Sequence, residues 1–437
     1  VNNINQPPVI DRPVTPVIVD ENVTGQASAT ATDPDLDTVT MTYTSGTLTV
    51  NPTTGEFTPD YDDAGAHIIN VLADDGNGGT DTENIPITVN DINRPPVMDP
   101  LVNIIVDEGY LVVVTPTATD PDGDPVNFTY DLPLDANGQW MTVPGDRGTY
   151  QNILVTAHDG KGGTDVQALD ITVRELYQIL FTSYRSPHTG NAELYSIWSD
   201  GTGVTRITNH PDDDVYASWN HDKSRVAWMR KVTPSTYDIV VADADGSNEV
   251  NLTNDPGTWQ GMPSFNEDGT EIIFIEGGNI WTMDSTTGGN RIRRTNTPEQ
   301  EMWPRCNESG THIIYSRFYS GDEEIFEMNY DGTGQTRITN SWGTDSHPHY
   351  NGTEIFFTSE RIGFVNRIFK MDLSGANVTQ LTTGSWDECP SPSPYGMRIV
   401  YASDSPGNMN IWDMNPDGTD QRQITIDPGT DDAPEGS

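Results

Sequence analysis

Ser199-Asp-Gly-Thr-Gly-Val-Thr-Arg-Ile-Thr-Asn209 returns almost unchanged as Tyr330-Asp-Gly-Thr-Gly-Gln-Thr-Arg-Ile-Thr-Asn340. Looser copies run from Ala244 to Asn254, Leu373 to Thr383 and Pro416 to Ile426, with a degenerate one from Ser285 to Asn296. Self-similarity at a spacing of about 40–47 residues marks a propeller, a solenoid or an array, in which each unit buries its faces against the next. The Asp-Gly turn and the Arg-Ile-Thr run therefore organise the second half of the chain.

Around each copy the same succession of short strands recurs. An inner strand reads Pro-x-aromatic at Pro263–Phe265 and Pro348–Tyr350, with Ala217–Trp219 as a variant. A Gly-containing turn such as Glu267–Thr270 leads to an apolar strand: Ile179–Phe181, Arg225–Trp228, Glu271–Phe274, His312–Tyr315, Glu354–Phe357 and Arg398–Tyr401. The third strand pairs an aliphatic residue with an aromatic one at Leu194-Tyr195, Ile280-Trp281, Ile325-Phe326, Ile368-Phe369 and Ile411-Trp412, with Ile239-Val240 in the second unit. The Arg-Ile-Thr run is expected to form the outer strand. Six apolar second strands predict six blades. The first blade lacks an inner strand before Tyr177, but Asp431-Asp-Ala-Pro434 matches Gln260-Gly-Met-Pro263. The last residues are thus expected to complete blade one and close the ring, which removes exposed sheet edges.

With its Asp-Gly turns, Arg-Ile-Thr runs and following Asp-x-x-Pro, this unit resembles the β-propeller repeats of the TolB family over residues 176–437. The resemblance implies a six-bladed propeller. It does not imply one function, because such propellers serve as scaffolds, lyases and peptidase side domains alike.

Residues 1–175 read differently. Val39, Met41 and Tyr43 alternate with threonines, as do Ile69, Val71, Ala73 and Ile85, Ile87, Val89 with polar residues. A period of two marks half-buried strands. The Gly-rich turn Asp75–Gly79 has a counterpart in Asp159–Gly163, and Ala31-Thr-Asp-Pro-Asp35 in Ala118-Thr-Asp-Pro-Asp-Gly-Asp124. Two antiparallel sandwiches are expected, over 1–92 and 93–175, followed by the propeller over 176–437, so the fold class is all-β.

Val19-Asp-Glu-Asn22, Ala31–Asp35, Val50–Thr58 and the junction Asp91-Ile-Asn-Arg-Pro-Pro96 resemble the cadherin-like repeats of microbial surface proteins. The resemblance implies calcium between the domains, held by Glu21, Asp60, Asp62, Asp91 and Asn93 with Asp120 and Asp122 from the next domain. Calcium takes six to eight oxygen ligands in an irregular cage, which suits such a set. Arg94 stands where the fuller motif has a second junction aspartate, so a single ion is expected there. Val173-Arg-Glu-Leu176 has no such motif, so none is expected at the second junction. The alternative is that these Asp and Asn residues simply cap turns.

The net charge of −44, with lysine only at 161, 223, 231 and 370, would repel nucleic acid and anionic membranes and attract cations or basic partners. Adaptation to high salt is a second reading of the same acidity. Two cysteines, Cys306 and Cys389, cannot form a disulfide framework and are expected to be buried free thiols. No apolar run approaches the ~18–20 residues that span a bilayer. The chain begins at Val1 and is expected to be a mature, processed, extracellular one. Asn22, Asn127, Asn251, Asn307, Asn351 and Asn377 head Asn-x-Ser/Thr sequons and are candidate glycosylation sites.

Three residues before each inner-strand proline, or its equivalent, lie Asp214, Gln260, Glu301, Asp345, Asp387 and Asp431. They are expected to ring one channel mouth, where they could bind a cation or a basic segment, or fix the loop backbone. His347 and His349 lie at the same level and could be metal ligands or the base of a polysaccharide lyase. Trp259, Trp303, Trp342 and Trp386, in or near the loops into inner strands, suit sugar stacking or protein contact. No Gly-x-Ser-x-Gly, His-Glu-x-x-His, P-loop or Cys-x-x-Cys motif occurs. The leading expectation is a non-catalytic surface protein, structural or adhesive, such as the repeating subunit of a layer or filament. Its partners would be other surface proteins, copies of itself or carbohydrate. Asn5–Ile10 could add to a neighbour's sheet edge. A carbohydrate-binding protein or lyase at the channel mouth and a TolB-like envelope scaffold are the alternatives.

Overall fold

A computed structural model describes residues 4–12, 14–185, 190–255, 257–405 and 407–436, and among them all regular structure is β. It divides into two compact units. The first comprises Val1–Val106, Tyr110–Thr142 and Gly148–Thr172; the second comprises Asp107–Gly109, Val143–Arg147 and Val173–Ser437.

In the first unit, each sandwich has one four-stranded sheet. That of the first sandwich runs in the order Val17–Asp20, Thr80–Asn90, Gly65–Asp74, Thr40–Thr44. Its core is the set that alternation predicts: Ile69, Val71, Ala73, Ile85, Ile87 and Val89 are all buried, with Tyr43 and Phe57 against them. One strand departs from the antiparallel expectation, since Val17–Asp20 pairs in parallel with Thr80–Asn90. The long intervening chain permits this, because a parallel pair needs only a crossover of a dozen or more residues. Val9–Ile10 pairs with Ala31–Thr32 of the same domain, and Ile10 is fully buried in its core. This segment is therefore committed internally and does not offer a strand to a neighbour. The second sandwich repeats the order with Ile104–Asp107, Thr164–Arg174, Gly148–His158 and Asn127–Tyr130.

In the second unit, six four-stranded antiparallel sheets form the six blades. The second strands read as unbroken apolar runs because blades pack on both faces: Ile272, Ile273, Phe274 and Ile275 are all buried, as are their counterparts in the other blades. Asp431–Glu435 pairs antiparallel with Gln178–Ser183 and supplies the inner strand of blade one.

The outer strands are shorter than expected, only two residues each, as at Thr205–Arg206 and Thr336–Arg337. The ladder stops at the arginine because the next two residues bond differently. The isoleucine N–H still reaches the third strand, as Ile338 does to the Ile325 carbonyl. The threonine then substitutes its hydroxyl for a backbone acceptor. Thr208, Thr253, Thr295, Thr339, Thr382 and Thr425 each accept the N–H of a third-strand residue, at 2.9–3.0 Å in all six blades. This side-chain bond is why threonine recurs in the motif.

Candidate cation site and channel

The Asp-Gly turn is occupied by local structure. Asp200, Asp245, Asp331 and Asp417 each accept the N–H of the residue two positions on, and Gly201, Gly246, Gly332 and Gly418 take left-handed φ. That is the chemistry of an Asx turn, which favours glycine at such a position.

The acidic column does not ring an open mouth. Asp214, Gln260, Glu301, Asp345, Asp387 and Asp431 are all buried, and none lines the channel cavities. Each faces the residue opposite it on the second strand. Asp214 and Glu301 face Arg230 and Arg317; Gln260 faces Glu276; Asp345, Asp387 and Asp431 face Ser359, Ser403 and Ser183. Asp214 takes Arg230 in two bonds of 2.7 Å, and Arg361 and Arg185 reach Asp345 and Asp431 at 2.8 and 2.7 Å. Asp387 has Ser403 Oγ and the Gly384 N–H as donors instead, so each buried carboxylate of the column is paired or hydrogen-bonded. The column locks inner strands to second strands.

Two residues further along, each inner strand bends. Tyr216, Met262, Trp303, His347, Cys389 and Ala433 all have φ between 47° and 55°, each beside a register shift in the ladder. Bulges of this kind re-aim side chains. Here all six line one apolar cavity in the channel, where Trp303 stacks on His347 with ring centroids 3.9 Å apart and meets Tyr216 edge-on at 5.0 Å. Beyond them Arg305 of blade four reaches Glu435 of blade one at 3.0 Å. The channel then widens into a polar cavity of about 540 Å³ lined by Asn220, Asn266, Asn351, Glu267 and Glu308, among others.

His347 and His349 belong to this interior. Burial, reinforced by Arg305, holds His347 down to about 3 and His349, despite Glu435, to about 4. Both are neutral at ordinary pH, and neither forms an ion pair among the described residues. The linkage has a definite sign. As pH falls from about 6.5 towards 4, the unfolded chain binds two protons here that the native state refuses, so stability falls. Asp432, raised to about 6 by burial and by Glu388, opposes this by one proton between about 6 and 4. Wild-type protein is therefore expected to melt lower at pH 4.5 than at pH 7, and a His349→Gln variant to lose less. Equal losses in a melting series across that range would refute the assignment.

Cys306 and Cys389 are free and partly shielded, and burial pushes both thiols up, Cys306 to about 11. Trp259 packs into two blade cores, whereas Trp342 is 83% exposed. Hydrogen bonds join the loops around it: Glu360 N–H to the Thr344 carbonyl, and Asp387 N–H to the Asn366 carbonyl. Exposed Trp342, Ile362, Phe364 and Trp386 consequently lie on connected loops of blades five and six. Among the sequon residues, Asn251, Asn351 and Asn377 donate their amides to Asp238, Gly396 and Asp372, and Asn307 donates to Thr311. Asn22 and Asn127 are exposed.

The junction residues divide into those brought together and those left apart. Asp120 and Asp122 cluster with Asp124, with one carboxylate oxygen from each inside a 4.8 Å span. Asn93 lies in the same frame and donates to Asp159 at 2.6 Å. Glu21, 2% exposed, accepts the Ile92 N–H at the linker. Asp60 stays in its own turn, accepting the Asp62 N–H. Asp62 meets Arg94 at 3.5 Å, and Asp91 meets Lys161 at 3.9 Å. Four buried oxygens find no donor: Glu21 Oε1, Asn93 Oδ1, Asp120 Oδ2 and Asp124 Oδ2. Acceptors without donors are what an oxygen-ligated cation requires, so Asn93, Asp120 and Asp124 fit calcium, whereas Asp60, Asp62 and Asp91 of the expected set are engaged elsewhere. Sequence reading missed Asp124, although the doubled Asp-Pro-Asp-x-Asp spacing at 33–37 and 120–124 pointed to it.

Comparison with known proteins matches part of each half to a family. Residues 223–437 match the TolB β-propeller domain family, and residues 5–88 match the bacterial Ig domain family. The Tol-Pal system protein TolB of Francisella tularensis is 26% identical over 268 residues, covering 48% of this chain and 61% of that protein. An uncharacterised protein of Agrobacterium fabrum is 29% identical over 127 residues, covering 28% of this chain and 42% of its own length. The chain thus spans less than two thirds of either relative. The solved structure of TolB from Acinetobacter baumannii superposes with a TM-score of 0.54 at 19% identity, covering 72% of this chain and 83% of that one, a likeness of fold.

Proposed function

From a TolB-like six-bladed propeller preceded by Ig-like sandwiches, we propose a non-catalytic protein of the bacterial envelope or cell surface whose propeller is a docking platform for other proteins. The observation that carries this reading is the contrast between consumed and exposed groups. The repeated acids and turns are spent inside the blades, while Trp342, Phe364 and Trp386 stand exposed on adjoining loops of a strongly acidic chain. Exposed aromatics on variable loops are the usual anchors of protein contacts. The relatives named TolB support an envelope scaffold over a layer or filament subunit. Calcium at the junction of the two sandwiches, where four acceptor oxygens lack donors, belongs to the same reading and would stiffen the link between the two sandwiches.

Photo-crosslinking side chains placed at 342 and 364 in the full chain, expressed in its own host, test the docking face. Both positions are expected to capture the same partner, with position 36, more exposed than either and on the first sandwich, as the control. Capture at 36 alone, or at none of the three, overturns the reading. Differential scanning calorimetry with and without a chelator tests the ion: the sandwich transition is expected to fall when calcium is removed.

A further inference from the structure

Between the buried column and the bend, each inner strand carries one more residue: Val215, Gly261, Met302, Ser346, Glu388 and Asp432. In blades two to five it is uncharged, and in blades two, three and five it is buried. Blades six and one, joined across the ring closure by the Gly436 N–H to Ser391, place half-buried carboxylates there instead. The two feel each other: burial first, and Glu388 next, push the Asp432 carboxyl up to about 6. After burial, both are also among the groups that raise Tyr216 and Cys389, which line the apolar cavity of the channel.

Neither carboxylate forms an ion pair among the described residues, because the nearby basic side chains are spent. Arg185 is held by Asp431, Arg361 by Asp345, Lys231 by Asp213 and Arg305 by Glu435. Arg367 turns to the carbonyls of Ile362 and Gly384. Glu388 Oε2 accepts the Trp386 indole N–H at 2.9 Å and the Asn366 amide at 3.0 Å, and Asp432 Oδ1 accepts the Ala433 N–H at 2.6 Å. Adjacent half-buried carboxylates repel each other, and an opposite charge between them removes that cost. The fold does not need the pair, since four blades do without it.

The surroundings decide which cation fits. Calcium takes six to eight oxygen ligands. Here the residues that follow the pair, Cys389 and Ala433, open onto an apolar cavity shared with Tyr216 and Trp303. Tyr184, 47% exposed, feels Asp432, and Trp386, 39% exposed, bonds Glu388 directly. Carboxylates beside apolar and aromatic walls match a lysine or arginine, whose charged head meets the acids while its methylene stem lies on the wall. A net charge of −44 favours a basic partner in the same sense.

Resting on the docking reading above, we propose that Glu388 and Asp432 receive one lysine or arginine side chain of the docked protein, at the rim of the channel between blades six and one.

Pentapeptides of sequence acetyl-Ala-Ala-Xaa-Ala-Ala-amide, with arginine, lysine, glutamine or glutamate at the centre, test this in saturation-transfer NMR titrations of the full chain. The arginine or lysine peptide is expected to bind at least about tenfold tighter than the glutamine and glutamate peptides, as a charge-assisted contact allows. Glu388→Gln/Asp432→Asn should erase that preference. Glu388→Gln alone, at a half-buried side chain, guards against misfolding of the double variant and should weaken the preference in the same direction. Glu308→Gln, which removes an equal charge at the polar end of the channel, should leave it unchanged. No preference in the wild type, or a preference that survives the double variant, overturns the proposal. Displacement of the arginine peptide by an equal concentration of calcium chloride would assign the pair to a metal ion and overturn it as well. The docking reading fails separately, if photo-crosslinkers at 342 and 364 capture nothing. Capture there that Glu388→Gln/Asp432→Asn leaves unchanged sinks only the basic side chain.

Discussion

A chain ending at Pro428 is expected to lose about 10 °C or more from the melting transition of its propeller, on a scale of about 2–4 °C per kcal/mol for domains of this size. The missing residues are the whole inner strand of blade one. Removing them strips the Asp431–Glu435 ladder from Gln178–Ser183 and leaves blade one with three strands where the other five have four. The ladder is only part of the loss. Asp431, fully buried, is the partner of Arg185 at 2.7 Å, and Glu435 is the partner of Arg305 at 3.0 Å. Deleting one member of a buried pair typically costs about 3–5 kcal/mol, because the survivor is left desolvated and unmatched. Gly436 adds a bond from its N–H to Ser391 of blade six, so the strand also joins the last blade to the first. Calorimetry on the truncated and intact chains decides the matter, with Asp431→Ala as an intermediate that keeps the strand but strands Arg185. An unchanged propeller transition after truncation would mean that the ring does not depend on this strand.

The blades were legible because their signals are local. Apolar second strands, Asp-Gly turns and Pro-x-aromatic inner strands each obey short-range rules, and six repetitions compound them. The fate of the acidic column was not, because an aspartate at a strand start reads alike whether it faces water or an arginine. The information lay across the hairpin, where Asp214 and Glu301 each sit opposite an arginine in the ladder and Gln260 opposite a glutamate. The apolar lining of the channel was illegible for a different reason. A residue before proline is biased towards extended backbone, yet Met262, Trp303, His347, Cys389 and Ala433 all precede prolines with left-handed φ. Only the closed ring, which forces six inner strands to converge, overrules that bias. At the junction the candidate oxygen ligands follow from the resemblance to cadherin-like repeats. The places of Arg94 beside Asp122 and of Lys161 beside Asp124 are set by the fold.

Gly332→Ala is expected to destabilise the propeller by about 3–5 kcal/mol, far more than a surface turn should, by adding backbone strain of about 1–3 kcal/mol to a packing clash of similar size. Gly332 closes the Asp-Gly turn of blade four at φ 89°, which alone penalises any side chain. The larger effect comes from the neighbouring blade. A Cβ there would stand 2.1 Å from the Arg294 carbonyl oxygen, in the Arg-Thr segment that follows the outer strand of blade three. The same contact recurs around the ring: Gly246 lies against Ile207, Gly288 against Leu252, Gly375 against Ile338, Gly418 against Leu381, and Gly201 against Ile424 across the closure. Each turn glycine of one blade thus seats on the motif carbonyl of the blade before it, and the repeat encodes the interface between blades as well as the hairpin. Gly321→Ala is the matched control. Its φ of 112° carries comparable strain, but nothing lies within 4 Å of the new Cβ. Thermal melts of the two variants separate the explanations. Strain alone predicts similar losses, whereas blade seating predicts that Gly332→Ala falls much further. Equal melting temperatures would confine the motif's role to its own turn.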